Sequence, residues 1–353
     1  MKIGILTHPV RCNYGGVLQA YALQSYLQGK GYDVVIIDLH RPARLMSRLH
    51  HWVERNIFHR RFTQFAHRNM CRTPRVTTEA ALRAVAAGCD AVIVGSDQVW
   101  RLTMVHGLER HYFLDFVPES SRRIAYAASF GLSDLEPCDE ALYRDIKTLV
   151  AQFSAISVRE ASGVDICRKH WNVAAQQVLD PTLLVGREVF EPFADRNSKR
   201  LGELFYYFLG NRGAEVAHLY RLAHGVGKRA ITVNAGRTLR VSKFAFAFYP
   251  AVERWIDAFR RAEVVVTDSF HGVCFSLLFN KPFYVVGNKS GGVSRIESIL
   301  NLFGLQERFV NSLNDIKSYD QLAAQNIDYT HINNRLAELR TYSEDFILNA
   351  LKQ

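Results

Sequence analysis

Short apolar runs, each followed by an amphipathic stretch of helical period, recur along this chain, and that alternation leaves few folds open. Ile3–Leu6, Val34–Ile37, Ala91–Val94, Ile124–Ala128, Ala155–Val158 and Gln177–Leu179 read as strands. Between them Val17–Gln28, Glu79–Ala87, Glu140–Gln152 and Ala161–His170 read as helices. On the first of these, Leu18, Tyr21, Ala22 and Leu27 form an inward stripe. The plan repeats in the second half. Leu204–Leu209, Ala230–Val233, Val264–Thr267 and Phe283–Val286 are strands; Glu215–His224, a segment from Pro250 to Arg261, and His271–Phe279 are helices. Strands apolar on both faces and separated by helices of this length predict parallel sheets covered on both sides. A chain of 353 residues is also about right for two cores. The pattern breaks in Gly186–Gly202, where Pro192, Asp195, Asn197 and Ser198 cluster. The predicted organisation is a Rossmann-like domain over 1–190, a second over 191–330, and a closing helix over 331–353 that packs back on the first. The active site is expected in the cleft between the halves.

Composition removes several classes. Hydrophobic residues make up 48% and charged residues 22%, an ordinary globular balance. No apolar run approaches the roughly 20 residues of a membrane span. Met1–Leu6 runs straight into a strand pattern rather than a signal peptide, so a cytoplasmic setting is expected. The cysteines (Cys12, Cys71, Cys89, Cys138, Cys167, Cys274) show no CxxC spacing and read as reduced thiols. The net charge of +10 is concentrated in one stretch: residues 41–75 hold nine arginines and a single acid, Glu54. Leu45, Leu49, Val53, Ile57, Phe58, Phe62 and Phe65 recur there at helical spacing. This basic helical insertion into the first domain has two main readings, a solvated element packed on its own domain or a docking surface for an anionic membrane or diphosphate lipid. No helix-turn-helix, zinc-finger or RNP pattern supports nucleic acid as a partner.

Ligands of open parallel sheets sit outside the carboxyl ends of strands. Four such ends carry polar residues and glycines: Asn13, Tyr14, Gly15, Gly16 and Gln19 after the first; Ser96, Asp97, Gln98 and Trp100 after Ala91–Val94; Ser129 after Ile124–Ala128; Arg159 and Glu160 after Ala155–Val158. Each alone is also what helix capping would select. In the second half, Thr267-Asp268-Ser269-Phe270-His271-Gly272 joins a buried strand to an apolar helix and presents an imidazole beside backbone N–H groups. Further on, Asn288, Lys289, Ser294 and Arg295 lie in a glycine-bearing loop, and Ser294 with Glu297 reads as a capping box that starts a helix at about Arg295. Cations at a helix N-terminus predict a site for phosphate or carboxylate. There is no GxGxxG after a strand, no GxxxxGK[ST], no HExxH and no GxSxG, so nucleotide-fingerprint, zinc and serine-hydrolase readings lose support and no metal is expected.

Together these segments resemble one family. Asn13-Tyr14-Gly15-Gly16-Val17-Leu18-Gln19-Ala20-Tyr21-Ala22-Leu23-Gln24 is similar to the opening motif of the polysaccharide pyruvyl transferases. Val94–Trp100, Ala125–Gly131, Ser157–Glu160, Val178–Leu184, Thr267–Gly272 and Ser294–Ile296 resemble its later motifs, in order, from the first strand to about Leu305 with the basic insertion left out. The resemblance implies a GT-B-like α/β fold. It also implies transfer of pyruvate from phosphoenolpyruvate, as co-substrate rather than cofactor, onto two hydroxyls of a sugar in a polysaccharide or lipid-linked glycan precursor. Family members often carry Arg-Leu-His where this chain has Ser269-Phe270-His271, so Arg295 or Lys289 is expected to supply the missing charge.

For that reaction His271 is the expected proton donor, and Asp97, or Glu160 if it faces the cleft, the expected base. Arg159, Ser269, Phe270, Gly272, Asn288, Lys289, Ser294 and Arg295 form the expected donor and anion side. Asn13, Tyr14, Gly15, Gly16, Gln19, Ser96, Gln98, Trp100, Ser129 and Glu160 form the acceptor side. Two other readings stay open: a glycosyltransferase using a nucleotide sugar on the same scaffold, and a silent glycan-binding partner in polysaccharide assembly.

Overall fold

The structure is a computed structural model, which describes residues 1–42, 57, 59–194, 203–210, 212–234, 238–241, 244–287, 292–323 and 327–352. Its described residues fall into two units. One lies within Met1–Val53, Thr63–Val185 and Glu338–Gln353, the other within Glu54–Phe62 and Gly186–Ala337.

The first unit is built on six parallel strands: β1 (Lys2–Leu6), β2 (Asp33–Ile37), β3 (Ala91–Gly95), β4 (Arg122–Ala128), β5 (Ala155–Val158) and β6 (Gln176–Gln177). Their spatial order is β2-β1-β3-β4-β5-β6. β3 is buried along its whole length, as an all-apolar run in the middle of a covered sheet has to be. The helix Tyr14–Gly29 carries the chain from β1 to β2, and the return to β3 passes to the other side of β1. The order therefore reverses between β1 and β3, and a crevice opens there at the carboxyl ends. β4 carries an irregularity between Ala125 and Ala128, where Ala127 takes a φ of 50°. The core beneath is aromatic: Trp100 stacks on Phe113 at 5.3 Å and meets Phe130 and Trp171 at 5.4 and 5.8 Å.

The expected helix Ala161–His170 is Ala161–Ile166 followed by a π-helical turn, Cys167–Trp171, closed by left-handed Asn172. The closing helix starts two residues earlier than expected, Tyr329–Lys352. Its part from Glu338 onward belongs to the first unit: Ser343 Oγ accepts from Leu179 N at 3.0 Å, and Arg340 donates to the carbonyls of Leu183 and Val185.

The second unit holds a sheet of β7 (Leu204–Tyr207), β8 (Ala230–Ile231), β11 (Val264–Thr267), β12 (Phe283–Val286) and β13 (Phe309–Val310), in the order β13-β12-β11-β7-β8, with every pairing parallel. A separate antiparallel pair, β9 (Thr238–Val241) and β10 (Phe244–Ala247), was not foreseen. The helix Phe270–Leu278 is apolar apart from His271 and Ser276 and is buried at every position. The described cysteines are all free thiols.

Two corrections concern helix starts and the basic segment. The helix expected at Arg295 begins at Val293, after Gly292 at a φ of 92°. A left-handed glycine turns the chain into the helix early, so Ser294 lies inside the first turn and the capping box does not form. In the basic segment, Leu45, Leu49, Val53, Arg55 and Phe58 lie outside the described residues. The helix Arg60–Asn69 is described, and Phe62, Phe65 and Ala66 on it are buried while Arg60, Arg61 and Arg68 are exposed. No helix among the described residues is long and apolar enough to cross a membrane.

Candidate active site

In the first unit the turn after β3 is the centre of the site. Asp97 holds a φ of 68°, a left-handed conformation that costs a non-glycine residue about 1–3 kcal/mol. The turn is tied down on both sides: Val99 N and Ser129 N donate to the Asp97 carbonyl at 2.8 and 3.1 Å. Its carboxylate accepts from Gln98 N at 3.0 Å and Asn13 Nδ2 at 3.4 Å, with Arg159 Nη2 at 3.6 Å. Gly95 is needed just before it, since a Cβ there would meet the Tyr126 carbonyl oxygen at 2.4 Å.

Behind Asp97 runs a buried polar network that fixes these loops. Gln19 Nε2 donates to Thr7 Oγ1 at 3.0 Å, and Thr7 Oγ1 donates to the Ser96 carbonyl at 3.1 Å. Ser96 Oγ donates to Asp180 at 2.7 Å, and Arg159 pairs with the same carboxylate at 2.9 Å. Burial works against the Arg159 cation, but Asp180, Asp97 and Glu160 outweigh it and hold its pKa above the ordinary value.

Several of the expected site residues take part in this network or in the core. Arg159 is 3% exposed and pairs with Asp180 and Asp97 inside its own unit, a bracing position for a residue expected on the donor side. Glu160, the alternative base, is fully buried, and its Oε1 accepts from Ser129 Oγ, Phe130 N and Gly131 N at 3.0, 2.8 and 3.0 Å. Trp100 is core, with its indole N–H donating to the Tyr112 carbonyl at 3.0 Å. Tyr14, Gly15, Gln19, Ser96 and Ser129 are buried and support the turns rather than lining them.

Asn13, Gly16, Asp97 and Gln98 do line a cavity of about 460 Å³ in this unit, at the reversal point of the sheet. The cavity adds residues outside the expected site set: His8, at the polar end of the first strand, and Arg11 after β1, His40 and Arg41 after β2, and His106 and Tyr112 from the segment after β3. Burial holds the His8 imidazole below its usual pKa, against the opposing pull of Asp97 and the Gln98 backbone. Asp38 accepts from His40 at 2.8 Å, with Arg72 at 3.4 Å. Burial pushes that carboxyl up, but the hydrogen bond from His40 and the nearby Arg72 charge bring it below its ordinary value.

In the second unit the turn after β11 is braced in the same manner. Thr267 Oγ1 donates to the Tyr207 carbonyl at 2.7 Å and accepts from Ser269 N at 3.1 Å. Ser269 Oγ caps the following helix, accepting from Gly272 N at 3.4 Å. Gly272 is required by packing: a Cβ there would lie 2.3 Å from Thr267 Oγ1. Asp268 accepts from Leu209 N at 2.7 Å and Arg212 Nε at 3.2 Å, and burial still holds its pKa above the usual carboxylate value. Arg212 also pairs with Glu215 at 2.7 Å and donates to the Gly287 carbonyl, so one guanidinium joins the carboxyl ends of β7, β11 and β12. That role was missed, although Leu209-Gly210-Asn211-Arg212-Gly213 has the polar, glycine-rich look of the other strand ends. His271 sits in the first turn of its helix, 6% exposed, with the Phe270 ring edge-on at 5.4 Å. Arg295 lies against Gly292, where an added Cβ would meet Nη2 at 2.4 Å. Asn288 and Lys289 lie outside the described residues.

Two parallel-sheet α/β units in one chain define a GT-B-like fold, and one solved structure supports it. A spinosyn forosaminyltransferase, SpnP, is similar with a TM-score of 0.50 at 10% identity, over 98% of this chain and 95% of that one. A UGT transferase from Siraitia grosvenorii in complex with UDP follows at 0.49, 9% identity, and 99% and 98% coverage. MurG from Acinetobacter baumannii gives 0.46, 9% identity, and 100% and 99% coverage. No curated protein matches the chain in sequence. Within this fold class the family is settled by sequence pattern: the polysaccharide pyruvyl transferase pattern matches residues 13–290, and the chain belongs to that family.

Proposed function

We propose that the chain transfers pyruvate from phosphoenolpyruvate to two hydroxyls of a sugar in a polysaccharide or its lipid-linked precursor, forming a ketal and releasing phosphate. The observation that carries this reading is that one family pattern spans residues 13–290, and so takes in both the Asp97 turn and the His271 turn. A proton from His271 goes to the methylene carbon of phosphoenolpyruvate, and cationic character develops on the carbon bearing phosphate. The first hydroxyl bonds to that carbon while Asp97 takes its proton. The C–O bond to phosphate then breaks, phosphate leaves, and the second hydroxyl closes the ring. Of the two hydroxyl protons, one balances the new methyl group and the other the departing phosphate.

Several observations support these roles. His271 stands at the start of a buried helix whose first N–H groups favour an anion, and Arg295 adds a cation to that unit. Ser269, Phe270, Gly272 and Ser294, with Asn288 and Lys289, complete the proposed donor side. Asp97 lies in the wall of a cavity in its own unit, held in a conformation that only a bracing network maintains.

The test is to incubate the protein with phosphoenolpyruvate and a panel of synthetic and lipid-linked glycosides, measuring phosphate release and the ketal product by mass. Wild type is expected to release phosphate with at least one acceptor. His271→Ala is expected to lower turnover by about 10²–10⁴ with the fold unchanged by circular dichroism. Binding of a nucleotide diphosphate sugar, with glycosyl transfer and no phosphate release from phosphoenolpyruvate, would replace this reading with glycosyl transfer.

A further inference from the structure

The first-unit cavity has a chemistry that the expected site residues do not account for. Its fixed cations outnumber its acids: Arg11 and Arg41 line it beside the rings of His8, His40 and His106, while Asp97 is its single carboxylate and is held against Arg159. Neither Arg11 nor Arg41 makes an ion pair among the described residues. Both are close enough to Tyr112 for their charge to act on its hydroxyl. They are exposed side chains at the ends of two adjacent strands, β1 and β2, converging on one space.

The remaining walls suit a sugar. The Tyr112 and His8 rings lie 5.7 Å apart, and Val17, Leu39 and Leu108 extend that apolar side, which matches the C–H face of a pyranose. Asn13, Asp97 and Gln98 bring amide and carboxylate groups for hydroxyls. The volume, about 460 Å³, lies in the range of roughly 300–1,000 Å³ that ligand pockets occupy. A small, compact anion such as phosphoenolpyruvate would sit within reach of the Asp97 carboxylate and leave the apolar wall unused.

We propose that this cavity holds an acidic saccharide, with its hydroxyls toward Asp97, Asn13 and Gln98 and its phosphate or carboxylate on Arg11 and Arg41. Naming that saccharide the acceptor rests on the pyruvyl-transfer reading above; the cavity assignment is tested without it.

The experiment measures binding to the full chain at fixed ionic strength by calorimetry or ligand-observed NMR. The probes are glucose 1-phosphate, glucuronate, methyl glucoside and phosphoenolpyruvate. The variants are Arg11→Gln, Arg41→Gln and, as a control for the overall positive charge, Arg83→Gln, an exposed arginine paired with Glu79 away from the cavity. At least one acidic sugar is expected to bind tenfold or more tighter than methyl glucoside, and the stronger of the two tells phosphate from carboxylate. Arg11→Gln and Arg41→Gln are each expected to weaken it roughly tenfold or more, the scale of a charge-assisted hydrogen bond. Arg83→Gln and the affinity for phosphoenolpyruvate are expected to stay unchanged. Equal binding of charged and neutral sugars, no binding of either acid at millimolar concentration, or equal losses in Arg83→Gln would overturn the assignment. A matching loss of phosphoenolpyruvate affinity in the Arg11 and Arg41 variants would also overturn it, by making the cavity the donor site. Charge-dependent sugar binding without phosphate release from phosphoenolpyruvate by any acceptor would sustain the cavity assignment and remove the transfer reaction alone.

Discussion

Arg159 shows how a residue's chemistry follows from its neighbours rather than its type. Its guanidinium is buried between Asp180, at 2.9 Å, and Asp97, at 3.6 Å. Removing one partner of such a group leaves uncompensated charge inside the protein. Arg159→Ala is therefore expected to cost about 3–5 kcal/mol of stability, seen as a lower denaturant midpoint. A stable variant with selectively weak donor binding would return Arg159 to a ligand-binding role. His8 gives a pH prediction. Its imidazole is held below its ordinary value of 6.5, chiefly by burial, so the unfolded chain binds that proton more readily. The stabilisation from keeping it neutral is complete above about pH 6.5 and declines as the pH falls from there toward the folded-state value. His8→Gln should flatten that part of the stability profile, measured by denaturant midpoints across a pH series. A slope identical to wild type would mean that other groups carry it. At this scale the sequence was half legible. Polar strand ends could be recognised, but whether a given Arg or Glu faced a ligand or another loop depended on partners far along the chain.

Among the elements, the turn into the helix Phe270–Leu278 is the most constrained. A Cβ at Gly272 would crowd Thr267 Oγ1, whereas one at Gly29, on the helix Tyr14–Gly29, would meet nothing within 4 Å. Gly272→Ala is expected to destabilise by about 1–3 kcal/mol through overpacking. Gly29→Ala is expected to be neutral or to stabilise by up to about 1 kcal/mol, since it only reduces backbone freedom in the unfolded chain. Comparing the two denaturant midpoints checks both. Element type was legible from period and length, as in β3 and the Phe270–Leu278 helix. Ends were less so: Gly292 starts its helix before Ser294 because a left-handed glycine supplied a turn that the capping pattern had assigned to the serine.

For the molecule as a whole, the basic segment remains the largest feature whose partner is open. Phe62 and Phe65 are in the core and are not free to insert into a bilayer, while Arg60, Arg61 and Arg68 on the same helix are exposed. Each exposed arginine near an anionic surface contributes roughly 1 kcal/mol, and salt screens it. Co-sedimentation with anionic but not neutral vesicles, lost at high salt and in Arg55→Gln, Arg60→Gln, Arg61→Gln, Arg68→Gln combined, is the expected outcome. Equal binding to both vesicle types, or to neither at low salt, would leave the segment as a surface element of the fold. The alternation of apolar runs and helices, read alone, determined two parallel sheets and the strand ends at which polar residues gather, because periodicity is a local property of the chain. Ordered motifs also pointed to the family before any coordinates. Only the tertiary structure decided which polar residues face the first-unit cavity. It brought His8, Arg11, His40 and Arg41 to Asp97 through the reversal of strand order between β1 and β3, and it turned Glu160 and Arg159 inward as braces. Those outcomes depend on hydrogen bonds and ion pairs between residues distant in sequence, such as Ser96 with Asp180, which no local pattern encodes.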